Sequence, residues 1–256
     1  MTPAEAIQLA PDFRDKVWGG TLLEPWFPNP AAGRKTGEVW FSTPELPILV
    51  KFLFTTENLS VQVHPSGECG VGKTEMWHIL RADEGARLAL GFREEMPATR
   101  AKEAAESGEI EELLRWYPVR AGETYFTPSG TVHAIGAGIA LCEIQQHSDI
   151  TYRLYDYGRP RELHLEAGLA VAHLGTHPGA SPGVALGDGW ERLVECEHFV
   201  TDARDVREGF RYRNASGGPQ LVIRTDGPGR VWLAPAGAEL RIEPDVRRLL
   251  RTYMPA

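Results

Sequence analysis

Short apolar runs separated by glycine and proline fill most of the chain, and this pattern predicts a protein built mainly of β-strands. Twenty-seven glycines and nineteen prolines in 256 residues supply the turns that many short strands require. The predicted strands share high contents of Val, Ile, Leu, Phe and Tyr, and they span residues 37–42, 48–54, 59–64, 75–80, 86–92, 123–128, 138–146, 151–157, 220–225 and 230–235. Such a series is typical of an all-β sandwich or barrel.

Three segments depart from the strand pattern. Residues 98–119 are rich in Ala, Glu and Leu, which predicts one or two short helices broken at Gly108. A further short helix is predicted at 162–174, and the Gly/Pro/Ser-rich stretch 175–190 is typical of a linker. We therefore predict a domain boundary near residue 180, with a larger domain over 1–180 and a smaller β domain over 181–256.

A faint internal repeat links the two predicted domains. Residues 122–133 follow the spacing Gly-x5-Pro-x-Gly-x2-His, and residues 229–240 follow the same skeleton with Leu240 where the first copy has His133. Repeated spacing of turn residues indicates two copies of one β unit. The alternative is coincidence, because glycine and proline are common in this chain.

Composition and charge exclude several classes of function. The 27 basic and 35 acidic residues give a formal charge of −8, which argues against nucleic acid or an anionic membrane as the main partner. The N-terminal residues lack the pattern of a secretory signal, and no apolar run is long enough to span a bilayer. Cys69, Cys142 and Cys196 are odd in number and lack CxxC spacing, so a disulfide framework is not expected. The chain is therefore predicted to be a soluble cytoplasmic protein.

Polar residues interrupt the apolar pattern of LSVQVHPSGECGVGKTEMWHIL, residues 59–80. Gln62 and His64 are two residues apart in a predicted strand, so both side chains project from the same face. Glu75 opens the next predicted strand, and His133 follows the tight turn TPSGTV. Two imidazoles, a carboxylate and an amide oxygen suit a divalent transition metal, and zinc is the usual occupant of such a donor set.

Each of these residues alone has an ordinary structural explanation, because a single histidine is more often a core or surface residue than a metal ligand. Only the combination of QxH, a glutamate after a glycine-rich loop and a Pro-x-Gly-x2-His turn favours a metal site. The remaining five histidines are assigned structural roles; they are His78, His147, His173, His177 and His198.

These motifs resemble those of a known superfamily. The spacing in residues 122–133 is similar to the second sequence motif of the cupins, which are metal-binding double-stranded β-barrels. Gln62, His64 and Glu75 resemble the first cupin motif, with glutamine replacing its first histidine. Together with DKVWGG, GKTE and the stretch from PSGTVH to ELHLE, they closely resemble type I phosphomannose isomerases of the short bacterial form. The resemblance runs from about residue 12 to about residue 170 and is weaker beyond.

The resemblance implies a fold and an activity. The fold is mainly β, with two cupin-like β-barrel or jelly-roll units, a small helical insertion at about 98–119, and a degenerate second unit without metal ligands. The activity is a metal-dependent aldose–ketose isomerisation of mannose 6-phosphate and fructose 6-phosphate by enediol proton transfer. The substrate is then a small sugar phosphate, with no nucleic acid or membrane partner, and the chain is a monomer or a homodimer.

The resemblance also implies roles for individual residues. The ligands of one zinc ion per chain fall on the four residues that the spacing selected, namely Gln62, His64, Glu75 and His133. The catalytic residues fall on Lys73, Asp149 and Arg153. Substrate contacts fall on Lys73, Arg153, Ser60 and Trp18.

The chemistry of these residue types leaves two questions open. Arg153 and Lys73 suit either the dianionic phosphate or the sugar oxygens. The proton-transferring base is either Lys73, whose pKa a nearby metal and arginine should lower, or Asp149, which could instead orient Arg153. GEVWFS differs from the GESWE pattern of the family at Val39 and Phe41, so substrate preference could differ if that strand lines the pocket.

Two other functions remain compatible with the sequence. A metal-dependent cupin dioxygenase, or another metal-dependent cupin enzyme, is disfavoured by Gln62 in the ligand set and by Lys73 and Arg153, which suit phosphate better than oxygen activation. A non-catalytic sugar-phosphate binder is disfavoured because the metal set, Lys73 and Arg153 are all intact.

Overall fold

β-Strands form most of the molecule in the structure, a computed structural model that describes residues 5–67 and 72–255. Strands make up 45% and helices 10%, so the mainly β class predicted from the sequence is confirmed. Cys142 is buried, Cys196 is partly exposed, and both are free thiols. Cys69 lies outside the described residues.

Within the described residues, twelve strands and three helices precede residue 180. In chain order they are β1 (Ile7–Gln8), β2 (Asp12–Gly20), β3 (Thr36–Thr43), β4 (Leu46–Phe54), β5 (Val61–Val63), β6 (Glu75–Ala82), β7 (Arg87–Phe92), α1 (Ala98–Ser107), α2 (Ile110–Leu113), β8 (Leu114–Pro118), β9 (Thr124–Thr127), β10 (His133–Ile135), β11 (Ile139–Gln146), β12 (Tyr152–Tyr155) and α3 (Leu165–Val171).

The remainder of the chain adds eight strands and one short 3₁₀ turn at Gly187–Gly189. The strands are β13 (Val184–Ala185), β14 (Trp190–Glu195), β15 (Val200–Asp205), β16 (Arg211–Arg213), β17 (Gln220–Arg224), β18 (Arg230–Ala234), β19 (Glu239–Arg241) and β20 (Arg248–Tyr253).

Three large antiparallel sheets organise these strands. The first has the order β2-β3-β4-β11-β6-β9, the second β12-β5-β10-β7-β8, and the third β1-β18-β17-β20-β15-β14-β13. A separate two-stranded ladder joins β16 and β19. The six-stranded sheet shares one hydrophobic cluster with the seven-stranded sheet and another with the five-stranded sheet, so it lies between them.

Strict alternation along β4 gives the six-stranded sheet two different faces. Val50 and Phe52 belong to the hydrophobic cluster shared with the seven-stranded sheet. Lys51 and Leu53, one residue further along in each case, line a cavity on the opposite face. Because side chains alternate between the two faces of a strand, one apolar face builds the core while the other is available for polar chemistry.

The helical insertion begins as predicted and ends earlier. Gly108 has φ +86° and terminates α1, which confirms the predicted break at this residue. Residues 114–118, predicted to be helical, instead form β8 and pair with β7, where Trp116 lies opposite Ala89. Pairing with a sheet edge outweighs the weak helix propensity of this segment. Within the described residues, no helix is long and apolar enough to cross a membrane.

Both copies of the internal repeat have the same local structure. In the first, β9 leads through a turn at Gly130 (φ +84°) into β10, and in the second, β18 leads through Gly237 (φ +76°) into β19. Only glycine adopts such positive φ angles without strain, which explains the matched spacing. Leu240 packs against an apolar cluster in the second copy.

The two predicted domains are closely joined. Strands from β13 onward form most of the seven-stranded sheet, but β1 from the N-terminal region also pairs there, with β18. The hydrophobic cluster between the six- and seven-stranded sheets includes Phe52 from the first unit and Ile223 from the second. The division at residue 180 stays a prediction.

We expect Phe52→Ala to lower the free energy of unfolding by about 3–5 kcal/mol, because it empties a site at the centre of this shared core. The Phe52 side chain is 0% exposed, and its ring lies 5.2 Å from that of Phe27. Chemical denaturation measures the change. Phe13→Ala is the matched control, because Phe13 also contacts Phe27 but is 37% exposed. Equal losses in both variants would contradict a core role for Phe52.

Candidate metal centre

Strand register aligns the first group of site residues. In the five-stranded sheet, Gln62 on β5 is the direct neighbour of both His133 on β10 and Arg153 on β12. Residues at paired positions on adjacent strands project from the same face. His64, two residues beyond Gln62, joins that face. Gln62 and Arg153, 91 positions apart in the sequence, are thus side by side.

Glu75 reaches the same point from the facing sheet. It opens β6 of the six-stranded sheet, and its side chain is completely buried. Glu75 Oε1 lies 3.6 Å from His64 Nε2 and 3.5 Å from His133 Nε2. The three ligand atoms all lie within 4.8 Å of one another. The structure therefore brings together three of the residues that the sequence selected as metal ligands.

Backbone carbonyls fix which imidazole nitrogens face the centre. His64 Nδ1 lies 2.9 Å from the carbonyl oxygen of Ile150, and His133 Nδ1 lies 2.8 Å from that of Thr131. Each Nδ1 must therefore donate its proton, which leaves a lone pair on each Nε2. Burial, with Lys73 adding to it, lowers the pKa of His64 to about 4, and burial also lowers the pKa of His133. Both rings are neutral at physiological pH.

The arrangement suits a divalent cation. Glu75 Oε1 is buried without a hydrogen-bond partner, and the Nε2 atoms of His64 and His133 lie close to it. An unpaired buried oxygen is costly, and a cation removes the cost. Tetrahedral zinc with bonds of about 2.0–2.1 Å separates its ligand atoms by about 3.4 Å. The separations of 3.5 and 3.6 Å from Glu75 Oε1 are close to that spacing, and all three ligand atoms lie within 4.8 Å of one another.

Gln62 is positioned as a fourth donor. Its side-chain Nε2 lies 3.2 Å from His133 Nε2, and its Oε1 lies 3.1 Å from the hydroxyl of Ser60. Carboxamide oxygen and nitrogen are assigned from their partners, and the Ser60 hydroxyl both donates and accepts. Rotating the amide by half a turn keeps the Ser60 contact and turns Oε1 towards the imidazoles. Ser60 therefore fixes the Gln62 amide in addition to lining the pocket.

Lys73 lies within the metal-ligand cluster. Its ammonium group donates hydrogen bonds to Glu75 Oε2 and, at 2.9 Å, to His64 Nε2. Burial lowers the pKa of Lys73, but the carboxylates of Glu75, Glu143 and Glu38 together outweigh this effect, and the pKa is raised. The lowered pKa expected from the sequence is therefore not produced by the neighbouring side chains.

A cavity of about 220 Å³ opens beside this cluster. Its walls come from the five- and six-stranded sheets, and they include all the remaining residues that the sequence proposed for substrate or catalysis, namely Trp18, Ser60, Lys73, Asp149 and Arg153. Trp18 lies near the end of β2 and is buried, whereas Asp149 is exposed. The described residues contain no ion pair between Asp149 and Arg153, so the suggested orienting role of Asp149 is not observed.

The cavity also contains charged residues that sequence reasoning missed. Lys51 and Glu143 face each other across β4 and β11, both almost fully buried, with Nζ and Oε1 3.2 Å apart. Trp77 donates to the other Glu143 oxygen at 2.9 Å. Lys51 is the single charged residue of β4, and Glu143 is the single charged residue of β11. A lone charge within a mostly apolar strand is a signal in the sequence that could have identified both residues. A buried ion pair that faces a cavity is typical of a functional site.

The altered GEVWFS strand lines the cavity through a residue that is unchanged from the family pattern. Glu38 faces the cavity on β3, where Lys16 pairs with it at 3.2 Å. Val39 and Phe41 project from the opposite face into the core shared with the seven-stranded sheet. The two substitutions therefore do not touch the pocket, because the strand alternates.

Known proteins resemble this chain over nearly its whole length. No protein-family model matches it. A mannose-6-phosphate isomerase of Streptococcus mutans is 32% identical over 278 residues, covering 89% of this chain and 87% of the relative. The crystal structure of mannose 6-phosphate isomerase from Bacillus subtilis has a TM-score of 0.84 and 26% identity, covering 98% of this chain and all of the other.

A third solved structure is similar in fold. A mannose 6-phosphate isomerase solved as a zinc-bound holo form has a TM-score of 0.74 and 16% identity, covering 99% of this chain and all of that protein. At that identity the likeness concerns the fold. The cupin fold expected from the sequence is confirmed by these structural similarities.

We expect zinc to raise the unfolding temperature of the metal-free protein, because a ligand bound only by the folded state adds about 2.7 kcal/mol at a hundredfold excess over its Kd. Glu75→Gln should remove most of this increase, since an amide is a far weaker ligand than a carboxylate. Thermal denaturation with and without zinc measures both. Glu143→Gln is the matched control, a buried carboxylate of the same cavity outside the histidine cluster. An undiminished zinc effect in Glu75→Gln would contradict the assigned centre.

Proposed function

The chain belongs to the mannose-6-phosphate isomerase family, and we propose that it is a metal-dependent aldose–ketose isomerase that interconverts mannose 6-phosphate and fructose 6-phosphate. The observation that carries this proposal is the convergence of His64, Glu75 and His133 beside a cavity lined with basic side chains. The reaction moves a proton between C1 and C2 of the sugar through an enediol.

Gln62, His64, Glu75 and His133 would hold the ion, and we propose zinc. The nitrogen and oxygen donor set favours this metal, as does the zinc-bound relative of the same fold. When bound, the ion supplies Lewis-acid stabilisation of negative charge on a substrate oxygen. The backbone carbonyls of Thr131 and Ile150 keep the two imidazoles in the tautomer that such a ligand needs.

Arg153 is proposed to bind the phosphate of the substrate. Its guanidinium lines the cavity, and among the described residues only one of its donors is used, in a 2.7 Å hydrogen bond from Nη1 to the carbonyl of Glu162. Its Nε is buried without a partner. A planar guanidinium with free donors matches a phosphate dianion.

Lys73 is proposed to act on the sugar oxygens rather than on the phosphate. Its ammonium group is buried and hydrogen-bonded to two of the residues that would hold the ion, whereas the guanidinium of Arg153 bonds to the carbonyl of Glu162. A donor beside the metal ligands stabilises negative charge that develops on the nearby oxygen.

Two groups stay candidates for the proton-transferring base. Asp149 is a carboxylate exposed to the cavity, and a carboxylate accepts a proton directly. Lys73 must first lose a proton, and its contact with Glu75 opposes that loss. We therefore favour Asp149. The cytoplasmic location and the monomeric or homodimeric state stay predictions.

The central test follows turnover and metal content together. The purified protein should convert mannose 6-phosphate to fructose 6-phosphate in a coupled assay, lose this activity when a chelator removes the metal, and regain it with zinc. Elemental analysis should find about one ion per chain, as a single three- or four-ligand site requires. Full turnover after complete metal removal would contradict metal assistance, and oxygen consumption in place of isomerisation would indicate a dioxygenase.

We expect Arg153→Ala to raise KM for mannose 6-phosphate by about tenfold or more, because a hydrogen bond to a charged group contributes about 1.5–3 kcal/mol. Steady-state kinetics measure the change. The metal content should stay that of the wild type, because Arg153 contacts none of the metal-binding atoms. Loss of the metal from this variant would argue against a substrate-binding role.

A further inference from the structure

The loop between β12 and α3 is organised by one buried carboxylate. Asp156 is 2% exposed and accepts four hydrogen bonds from two guanidinium groups. Arg161 approaches with Nε at 2.6 Å and Nη2 at 2.5 Å, one to each carboxylate oxygen. Arg159 approaches with Nε at 3.1 Å and Nη2 at 2.7 Å, both to Oδ1. A buried carboxylate requires such partners, and the two-point contact fixes the orientation of the Arg161 plane.

The two arginines face in different directions. Arg159 Nη2 also donates to the carbonyl of Asn58 at 2.8 Å, and its guanidinium lies 5.4 Å from the Tyr157 ring. Arg159 is therefore used to anchor the loop, and it does not line the cavity. Arg161 does line it, with 27% of its side chain exposed.

The guanidinium of Arg161 is only partly used by protein contacts. Asp156 occupies its Nε–Nη2 edge, and within residues 5–67 and 72–255 no acceptor pairs with its Nη1. An arginine presents two separate edges for bidentate binding, so the second edge of Arg161 is free to bind an anion.

Arg153 adds a second cation to the same wall. Its Nε is buried without a partner, and burial together with the neighbouring Arg161 lowers the pKa of Arg153. Two like charges beside one cavity repel each other, and an anion between them removes that repulsion. Asp156 offsets one of the charges and leaves the free donors of both guanidiniums available.

We propose that Arg161 is a second substrate-facing cation next to Arg153, and that Asp156 is the positioning residue that holds it in place. The inference rests on the proposed function, because the sugar phosphate supplies the dianion. Arg161 and Arg153 together then select phosphorylated over unphosphorylated sugars. The alternative is that the Asp156 cluster only stabilises the loop.

A pair of matched substitutions separates these readings. Arg161→Gln should raise KM for mannose 6-phosphate by about tenfold and change kcat by less than about twofold, because binding is lost equally in the ground and transition states. The inhibition constant of inorganic phosphate, used as a competitive inhibitor, should rise by a similar factor. Arg159→Gln removes the other partner of Asp156 and should leave KM within about twofold of the wild type. Equal effects of the two variants would overturn the proposal.

The role of Asp156 is tested through Arg161. Asp156→Asn should raise KM about fivefold, and the double variant with Arg161→Gln should have the KM of Arg161→Gln alone, because one residue acts through the other. If the KM of the double variant instead rose by the product of the two single effects, the positioning role of Asp156 would be overturned. If Asp156→Asn does not fold, Arg161→Lys replaces it, because lysine keeps the charge and loses the two-point contact. A wild-type KM in that variant would equally overturn the proposal.

The same kinetics distinguish this inference from the proposed function. Absence of turnover by the zinc-loaded wild type would overturn the proposed function, and this inference with it. Wild-type turnover with unchanged KM and phosphate inhibition in Arg161→Gln would overturn this inference alone. Unchanged metal content in all variants excludes an indirect effect through the metal centre.

Discussion

A buried carboxylate and two neutral imidazoles that turn their lone pairs towards one point require a positive charge, and much of this structure serves that constraint. Lys73 supplies one positive charge, to Glu75 Oε2. Glu75 Oε1 is buried without a partner, and a second positive charge would stabilise it. Carbonyl oxygens on two separate segments hold the imidazoles in the required tautomer. Because an unpaired buried lone pair is costly, the arrangement is stable only with a cation close by.

The sheets make this polar centre compatible with a large core. Along β4 and β11, one face contributes Phe52 and Cys142 to the core, and the other contributes Lys51 and Glu143 to the cavity. The seven-stranded sheet covers the apolar face of the six-stranded sheet, so that face can consist of hydrophobic side chains. The cavity wall then combines two ion pairs, Lys51–Glu143 and Lys16–Glu38, with the guanidinium groups of Arg153 and Arg161. A sugar phosphate offers both kinds of group that such a site can bind, namely oxygens for the candidate metal centre and a dianion for the guanidinium groups.

Most of the strands, and the residue types of the candidate metal centre, could be predicted from local pattern. The alternation in β4 to β6, the break at Gly108 and the turn before His133 all depend on neighbouring residues, which is why they were found. Residues 114–118 were assigned to a helix because their pairing with β7 is not a local property. Lys51 and Glu143 were missed because their pairing is visible only once the register of β4 and β11 is known, although each is the single charge in its strand. Asp156 and Arg161 were missed for the same reason.

The sequence by itself determined the residue types of the centre, the strand periodicity that puts Gln62 and His64 on one face, and the family to which these motifs point. Only the tertiary structure decided that Glu75 from the six-stranded sheet meets His133 from the five-stranded sheet, and that Val39 and Phe41 face the core while Glu38 faces the cavity. The physical reason is the distance along the chain over which each interaction acts. Periodicity and turn geometry act over a few residues, whereas a metal site and its ion pairs depend on sheet register and packing between segments far apart in the chain.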